Sequence, residues 1–376
     1  MTTRLYPAEY IFPGHPDKLG DAIADALVEE AWRRDPRALV GVEVAVHRDH
    51  VYITGRVACP EATGIDVGSL VQAVYRTAGY DAAWYPAPEQ VQVVSNLCLG
   101  PLEDGEAEFR ELSDDQAICI GYANALAATN HLPVEQWLAA EAARRLHRLR
   151  AEQPQLGLGP DGKVLVLVEE QCDEAGDPVA WSLRDFSCSL QQRIRSDEVA
   201  LHRAVRIALE ALLQSASVRL PGFSHALPEQ LSVNGAGDFE VGGPEGDNGL
   251  SGKKLVVDAY GPRIPIGGGA WSGKDFFKAD RAGGLHARRL AKTLVRLGLS
   301  REVTATLAWH PGDREARVIR LVDGRNTVLR LDHPEALFDL SLRHSGTQLM
   351  STELVEVARW GHFTNPRLPW ERGGRL

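Results

Sequence analysis

Apolar residues along this chain follow two rhythms, one of helices and one of strands. From His15 to Arg34, Leu19, Ile23, Leu27 and Ala31 recur on one helical stripe, with Asp17, Asp21 and Asp25 elsewhere on the helix. Pro16 suits the first turn, which puts His15 at the end where free backbone N–H groups attract anions. A lone histidine there is by default a helix cap. Leu39–Val46 and Val51–Val57 alternate apolar and polar residues around HRDH, the pattern of a β-hairpin, and by period alone Glu43 is a solvent-facing strand position. Val91–Ser95 predicts another short strand. The acidic segment CLGPLEDGEAEFRELSDDQA that follows reads as a mobile loop, since it is short of large apolar residues.

Further on, Val134–Arg150 predicts a surface helix with an arginine-rich end. LGLGPDGKVLVLVEE predicts a hairpin-like turn leading into a buried strand that Lys163 opens, where a solvated turn lysine is the default. Ser196–Ser215 and Ala287–Leu297 read as helices, Val303–Trp309 and Arg317–Val322 as paired strands, and His333–Phe338 and Leu340–Leu342 as short helices. Recurring helix-plus-hairpin units predict an α+β protein of repeated similar domains. A length of 376 residues favours two or three of them over one core.

Composition adds exclusions. With 44% hydrophobic and 24% charged residues, no apolar run of membrane-spanning length and no signal-peptide pattern in MTTRLYPAEYIF, the expectation is a soluble protein with no membrane partner. Five cysteines without C-x-x-C spacing indicate neither a disulfide framework nor a zinc site, so reduced thiols in the cytoplasm are expected.

Charge singles out one stretch. The chain carries −10 overall, yet between Lys253 and Lys292 nine cations face only Asp258, Asp275 and Asp280. A local cationic run in an acidic protein argues against nucleic-acid binding and, interleaved with glycines, for a pocket that takes a compact polyanion such as a polyphosphate. Gly268–Lys274 (GGAWSGK) imitates a P-loop. Asp275 stands where the Mg²⁺-holding Ser or Thr belongs, however, and Pro262 and Pro265 interrupt the approach where a strand is needed. Lys274, Lys278 and Asp280 follow at helical spacing, which a simple glycine-rich turn does not explain.

GGGAWSGKDFFKADR resembles the signature of the S-adenosylmethionine synthetases. GHPDK at Gly14–Lys18, VGGPEGDNGLSGKKLVVDAYG and GHFTNPRLPWE resemble three further blocks, in the family's order and over nearly the full length. The resemblance implies three similar interleaved α/β domains with pseudo-threefold symmetry: 1–13 plus 126–238, 14–100 plus 239–282, and 101–125 plus 283–376, with a gating loop at 96–116. It also implies active sites shared between two subunits of a homodimer or dimer of dimers, ATP and a thioether amino acid as substrates, and Mg²⁺ and K⁺ as cofactors. Position by position, His15, Lys163, Lys253, Lys254, Lys274 and Lys278 would hold the triphosphate, Asp115 the nucleoside, and Phe239 the adenine, although Phe239 alone would be simple core. Asp17 and Asp280 would hold Mg²⁺ and Glu43 would help bind K⁺. Lys253 stands where the family has arginine, which loses a bidentate fork and bears on triphosphate hydrolysis.

The acceptor end departs from the family. Arg56 aligns with a glutamate that accepts from the methionine ammonium, Gly100 falls near a glutamine that contacts the carboxylate, and Trp309 takes the place of a small aliphatic residue beside the sulfur. Asp247, the other ammonium contact, is kept. The loop hexapeptide GAGDQG has become LSDDQA, losing three glycines and so stiffening the turn. An arginine facing an ammonium needs an acid to neutralise it, and the altered loop is rich in acids. Three readings stay open: methionine adenosylation, adenosylation of a deaminated or extra-carboxylate methionine analogue, and a paralogue that only binds or hydrolyses polyphosphate.

Overall fold

The computed structural model describes residues 2–193, 196–331 and 337–372. In chain order the elements are β1 (Thr2–Ile11), α1 (Pro16–Arg34), β2 (Leu39–His47), β3 (His50–Ala58), α2 (Val67–Ala78), β4 (Gln92–Gly100), α3 (Glu106–Phe109), β5 (Ala117–Asn124), α4 (Val134–Glu152) and β6 (Leu158–Cys172). There follow β7 (Pro178–Gln192), α5 (Glu198–Arg219), β8 (Gln230–Val233), β9 (Gly249–Leu250), α6 (Leu255–Asp258), α7 (Ala279–Arg296), β10 (Glu302–Trp309), β11 (Arg317–Asp323), α8 (Leu342–His344) and α9 (Leu354–Trp360).

An α+β repeat governs their arrangement. A helix leads into an antiparallel hairpin three times: α1 into β2–β3, α4 into β6–β7 and α7 into β10–β11. In the first two a second helix then returns the chain to a strand parallel to the hairpin, α2 to β4 and α5 to β8. The sheets are ordered β4-β3-β2-β9, β1-β6-β7-β8 and β11-β10-β5. Each takes its outer strand from elsewhere in the chain. β1 joins β6, β5 joins β10, and β9 joins β2. One large apolar core serves the first two sheets with α1 and α4, and a smaller one lies between the third sheet and α7.

The helix predicted at His15–Arg34 is α1, and Leu19, Ile23, Leu27 and Ala31 are all buried. The three acids expected away from the apolar stripe are buried as well, at 1% exposure or less. Their partners explain why. Spaced four apart, and so stacked on one helix face, Asp17, Asp21 and Asp25 accept the backbone N–H groups of Leu250 (2.9 Å), Gly252 (2.7 Å) and Gly273 (3.0 Å). The acids of α1 thus pin the glycine-rich stretch to the helix, and those otherwise unpaired backbone donors are satisfied.

Several expectations change. The helix at Val134–Arg150 is α4, but it is not a surface helix: Val134 to Ala140 are buried, with the Gln136 amide donating to the Val257 carbonyl at 2.6 Å. LGLGPDGK forms no hairpin turn. From Leu158 on it belongs to strand β6, whose register shifts between Leu158 and Gly162 in a bulge, and Leu156 and Gly157 close the turn before it. Residues 96–100 complete β4 rather than starting a loop. The segment after them is tied down at four points. Arg110 pairs with Asp275 at 2.6 Å with both buried, Arg56 with Glu106, Arg37 with Glu111 at 3.3 Å, and Lys278 with Asp114. Acidic composition suggested mobility because the matching cations lie far away in the sequence. Lys274 and Lys278 are not on a helix either: Lys274 bridges Gly41 of β2, and Lys278 is the cap residue of α7. That helix begins eight residues before the predicted Ala287. Gly283 and Gly284 hide its start, because a Cβ there would stand 2.5 Å from Cys119 Sγ and 2.6 Å from the Trp271 ring. Of the predicted helix His333–Phe338, residues 333–336 lie outside the described residues, and Leu340 precedes α8 rather than lying in it.

Candidate functional site

Of the nine cations between Lys253 and Lys292, five are structural. Arg281 makes a double hydrogen bond to Asp25 (2.7 and 3.0 Å), and Arg288 one to Glu371 (2.9 and 3.2 Å), all fully buried. Lys292 also reaches Glu371 at 2.5 Å, Arg263 reaches Glu135 at 3.1 Å, and Arg289 lies over Phe338. The other four, Lys253, Lys254, Lys274 and Lys278, stay 19–48% exposed, each against one carboxylate. The expected single cationic pocket is therefore a scaffold of buried arginines carrying four usable lysines.

Two of the four lysines gather at the start of α1. The His15 ring caps the helix by accepting the Asp17 N–H at Nδ1 (3.2 Å), which leaves Nε2 to carry the proton of the neutral ring. Burial, and more weakly Lys254, pull the His15 pKa below its ordinary value against Asp161 and Asp17, so the ring is neutral at pH 7. Asp17 lies behind it, 3.4 Å from Lys254 and 3.7 Å from Lys253. In front is a cleft of about 280 Å³ lined by His15, Lys163, Phe239, Asp247 and Asp161. Lys163 pairs with Glu9 at 2.5 Å. Phe239 is half-buried and lines this cleft, so it is not the core residue its type alone suggests. Asp161 escaped sequence analysis. It is buried and accepts the Gly243 N–H at 2.8 Å, holding a glycine whose φ of 60° a side chain would strain. Its Pro-Asp-Gly setting looked like a turn, so nothing local marked it.

Lys274 and Lys278 gather at the start of α7. Lys274 pairs with Asp280 at 2.5 Å and Lys278 with Asp114. Asp115, beside Asp114, is exposed, its carboxylate accepting the Gln116 N–H at 2.7 Å. Asp275, the residue that spoils the P-loop pattern, is a buried clamp: it accepts the Val40 N–H at 2.7 Å and the Phe277 N–H at 2.8 Å, and pairs with Arg110.

The two groups are joined by β2. Gly41 bridges Lys274 on one side and pairs with Arg56 of β3 on the other. Glu43, two residues on, is exposed, with the Ser251 hydroxyl 3.4 Å from its Oε2. Arg56 makes a bidentate pair with Glu106 (2.6 and 2.7 Å), and Glu103 lies 3.6 Å away. Gly100 ends β4, its carbonyl accepting the Cys59 N–H at 2.9 Å. Trp309 pairs with Ala117 of β5, two residues past Asp115, and lies behind the first turn of α7. It is 1% exposed in the third sheet's core, where a Cβ on Gly283 would approach its Nε1 to 2.6 Å.

Partly exposed lysines against single carboxylates and a neutral histidine at a helix N-terminus are groups whose chemistry can attract an anion. Residues 3–98 match the S-adenosylmethionine synthetase N-terminal domain and residues 241–372 the C-terminal domain of that family. The chain is 32% identical over 405 residues to S-adenosylmethionine synthase 1 of Frankia casuarinae, covering 100% of this chain and 98% of that relative. It is 30% identical over 409 residues to the S-adenosylmethionine synthase of Deinococcus radiodurans, covering 99% and 96%. It is likewise 30% identical over 400 residues to that of Staphylococcus epidermidis, covering 98% and 95%. The chain belongs to the S-adenosylmethionine synthetase family. No helix among the described residues is long and apolar enough to cross a membrane.

Proposed function

We propose that this protein is an ATP-dependent adenosyltransferase that joins the adenosyl group of ATP to a thioether sulfur, with methionine as acceptor. A sulfur lone pair attacks the ribose C5′, the C5′–O bond breaks, and the triphosphate leaves with the bonding electrons. The sulfur carries no proton, so no general base is needed. The work is alignment of sulfur and carbon and stabilisation of the charge that gathers on the leaving oxygens. One observation carries this reading: all five site lysines face carboxylates from partly exposed positions, around backbone pinned by α1. Lys163, Lys253, Lys254, Lys274 and Lys278 then bind the triphosphate, and neutral His15 offers Nε2–H to it. Phe239 stacks on the adenine, Asp115 contacts the nucleoside, and Asp247 receives the acceptor's ammonium.

Mg²⁺ fits Asp17 and Asp280. Such an ion is held by one or two carboxylates with substrate phosphates completing its shell, so no group of three protein ligands is required; among the described residues there is none. When bound it neutralises phosphate charge. Meanwhile these carboxylates would release Lys254 and Lys274 to the triphosphate. Glu43 with the Ser251 hydroxyl offers hard oxygen donors suited to K⁺. The sheets support three interleaved domains with pseudo-threefold symmetry, and residues 101–116 would gate the site by releasing the four pairs that tie them down. Tyr52, Val94 and Leu250, each about half exposed on the β4-β3-β2-β9 sheet, favour a homodimer through that face.

A second reading concerns the acceptor. Arg56 is already neutralised by Glu106, so it need not repel an ammonium, and methionine stays compatible with the reversed charge. Opened by ligand, the same arginine would instead favour an acceptor with an added carboxylate. The test is incubation with ATP, Mg²⁺ and K⁺, with and without methionine, followed by mass spectrometry. S-adenosylmethionine formation is expected. ATP consumed only with a deaminated or dicarboxylic thioether would replace methionine by that acceptor, and no sulfonium from any acceptor would leave a polyphosphate-binding or hydrolysing protein.

A further inference from the structure

The arginine-rich end of α4 and the closing segment NPRLPWE take no part in the proposed reaction, yet they meet. Between them, with α9 as the third wall, lies a cleft of about 580 Å³. Arg144, Arg148, Arg359 and Arg367 line it against two acids, Glu353 and Glu356, in a chain of net charge −10. Two of the arginines are engaged. Arg144 donates to Thr364 Oγ1 at 2.5 Å and lies over the Trp360 ring, and Arg359 pairs with Glu356 at 2.6 Å. The side chains of Arg148 and Arg367 make no hydrogen bond or ion pair with any described residue, and both are exposed. His147 also lines the cleft, its ring edge-on to Trp360, and its buried Nε2 has no hydrogen-bond partner among the described residues. Burial first, then Arg359, Arg150 and Arg148, hold this ring down to about 3, so it is neutral and adds no charge to the cleft.

We propose that this cleft is a second anion site, separate from the lysine site, which takes a small phosphate-bearing molecule between Arg148 and Arg367. Arg144 and Arg359 have acids of their own, whereas Arg148 and Arg367 have none among the described residues, and an anion would supply the missing countercharge. Planar guanidinium forks bind phosphate oxygens in pairs, which point-charge lysines do not. The volume admits more than a bare ion, and one local arginine cluster on an acidic protein is no track for nucleic acid. A single ring separates the two sites. Phe12 stands edge-on to His147 at 5.3 Å and packs against Gly162, which lines the lysine cleft beside Lys163.

The inference does not depend on the proposed reaction, and calorimetry on the full chain separates the two. Inorganic orthophosphate, diphosphate and tripolyphosphate are titrated at fixed ionic strength into three proteins: the native chain, Arg148→Ser/Arg367→Ser, and Lys254→Gln/Lys278→Gln. A phosphate-binding component should persist in the lysine variant and weaken by about tenfold or more in the arginine variant. The comparison of the three phosphates gives the size of ligand that fits. Binding lost only in the lysine variant, or present in none, overturns the site. Arg148→Lys/Arg367→Lys guards against a trivial result: partial loss is expected, and full retention would mean diffuse charge rather than a built site.

Discussion

The two kinds of cation in the glycine-rich stretch differ in what surrounds them, not in how often they occur. Arg281 and Arg288 are fully buried, and each is bound through two nitrogens to one buried acid. Lys253, Lys254, Lys274 and Lys278 keep part of their surface and meet their acids singly. Guanidinium suits the first task because its rigid fork fixes geometry, and ammonium suits the second because it can leave one anion for another. A buried fork holds the loop; a partly exposed lysine is free to change partner. The same distinction separates the ends of the site, since Arg56 is forked to Glu106 whereas Lys274 and Lys278 are not.

Breaking the buried class should give the largest effect. Arg288→Met leaves buried Glu371 with Lys292 as its one remaining cation among the described residues and frees the Tyr122 and Asn130 carbonyls that Arg288 also serves, so about 3–5 kcal/mol of stability should be lost in thermal or urea unfolding. Lys254→Gln should do the reverse. Stability should change by less than about 1 kcal/mol, while turnover of ATP with acceptor falls about a hundredfold, as on removing one group that stabilises transition-state charge. A Lys254→Gln protein that unfolds as readily as Arg288→Met would erase the distinction between the classes.

Which cation belongs to which class could not be read along the chain. The family blocks, the helix at His15 and the hairpin at Leu39–Val57 were legible because their signals are local: ordered motifs, a period, a turn. Arg281 and Lys278 lie three residues apart in one motif, and their fates are set by Asp25, 256 residues away, and Asp114, 164 residues away. Asp21 and Asp25 looked like the polar side of a surface helix because sequence cannot show that the face opposite carries backbone N–H groups. Tertiary partners likewise overrode the reading of the acidic loop, since Arg37, Arg56, Asp275 and Lys278 come from three distant stretches of the chain. Trp309 was placed near the substrate by alignment alone, and its burial under Gly283 depends on a helix start that two glycines conceal.

Arg56 allows a smaller, sharper test. Arg56→Glu alone sets three carboxylates together with Glu103 and Glu106, so a gain or loss of activity would mix specificity with a displaced segment. Arg56→Glu/Glu106→Arg restores the pair with its charges exchanged. If the charge at position 56 governs the acceptor, the double variant should raise kcat/KM for methionine relative to a dicarboxylic thioether by about tenfold. An unchanged ratio would assign Arg56 to holding the segment and nothing more.

The smallest effect is expected at Asp21, which belongs to the buried class but lacks a fork. Its Oδ1 accepts the Gly252 N–H, while Oδ2 is buried with no partner among the described residues. Burial first, and then the charge of Asp258, push its pKa well above the ordinary carboxylate value, with Lys18 opposing. An acid raised in the folded state holds its proton more tightly there than when unfolded. Its contribution is therefore complete below the ordinary carboxylate range and is lost as pH rises through the folded value. Asp21→Asn keeps an oxygen for Gly252 and never ionises. It should match the native chain in Tm at acidic pH and exceed it by a few degrees at pH 8. A native chain that stays the more stable at pH 8 would show that an ionised Asp21 is needed there, as a partner for Lys18 or the glycine-rich backbone, and would move Asp21 from the scaffold to the charge-exchanging class.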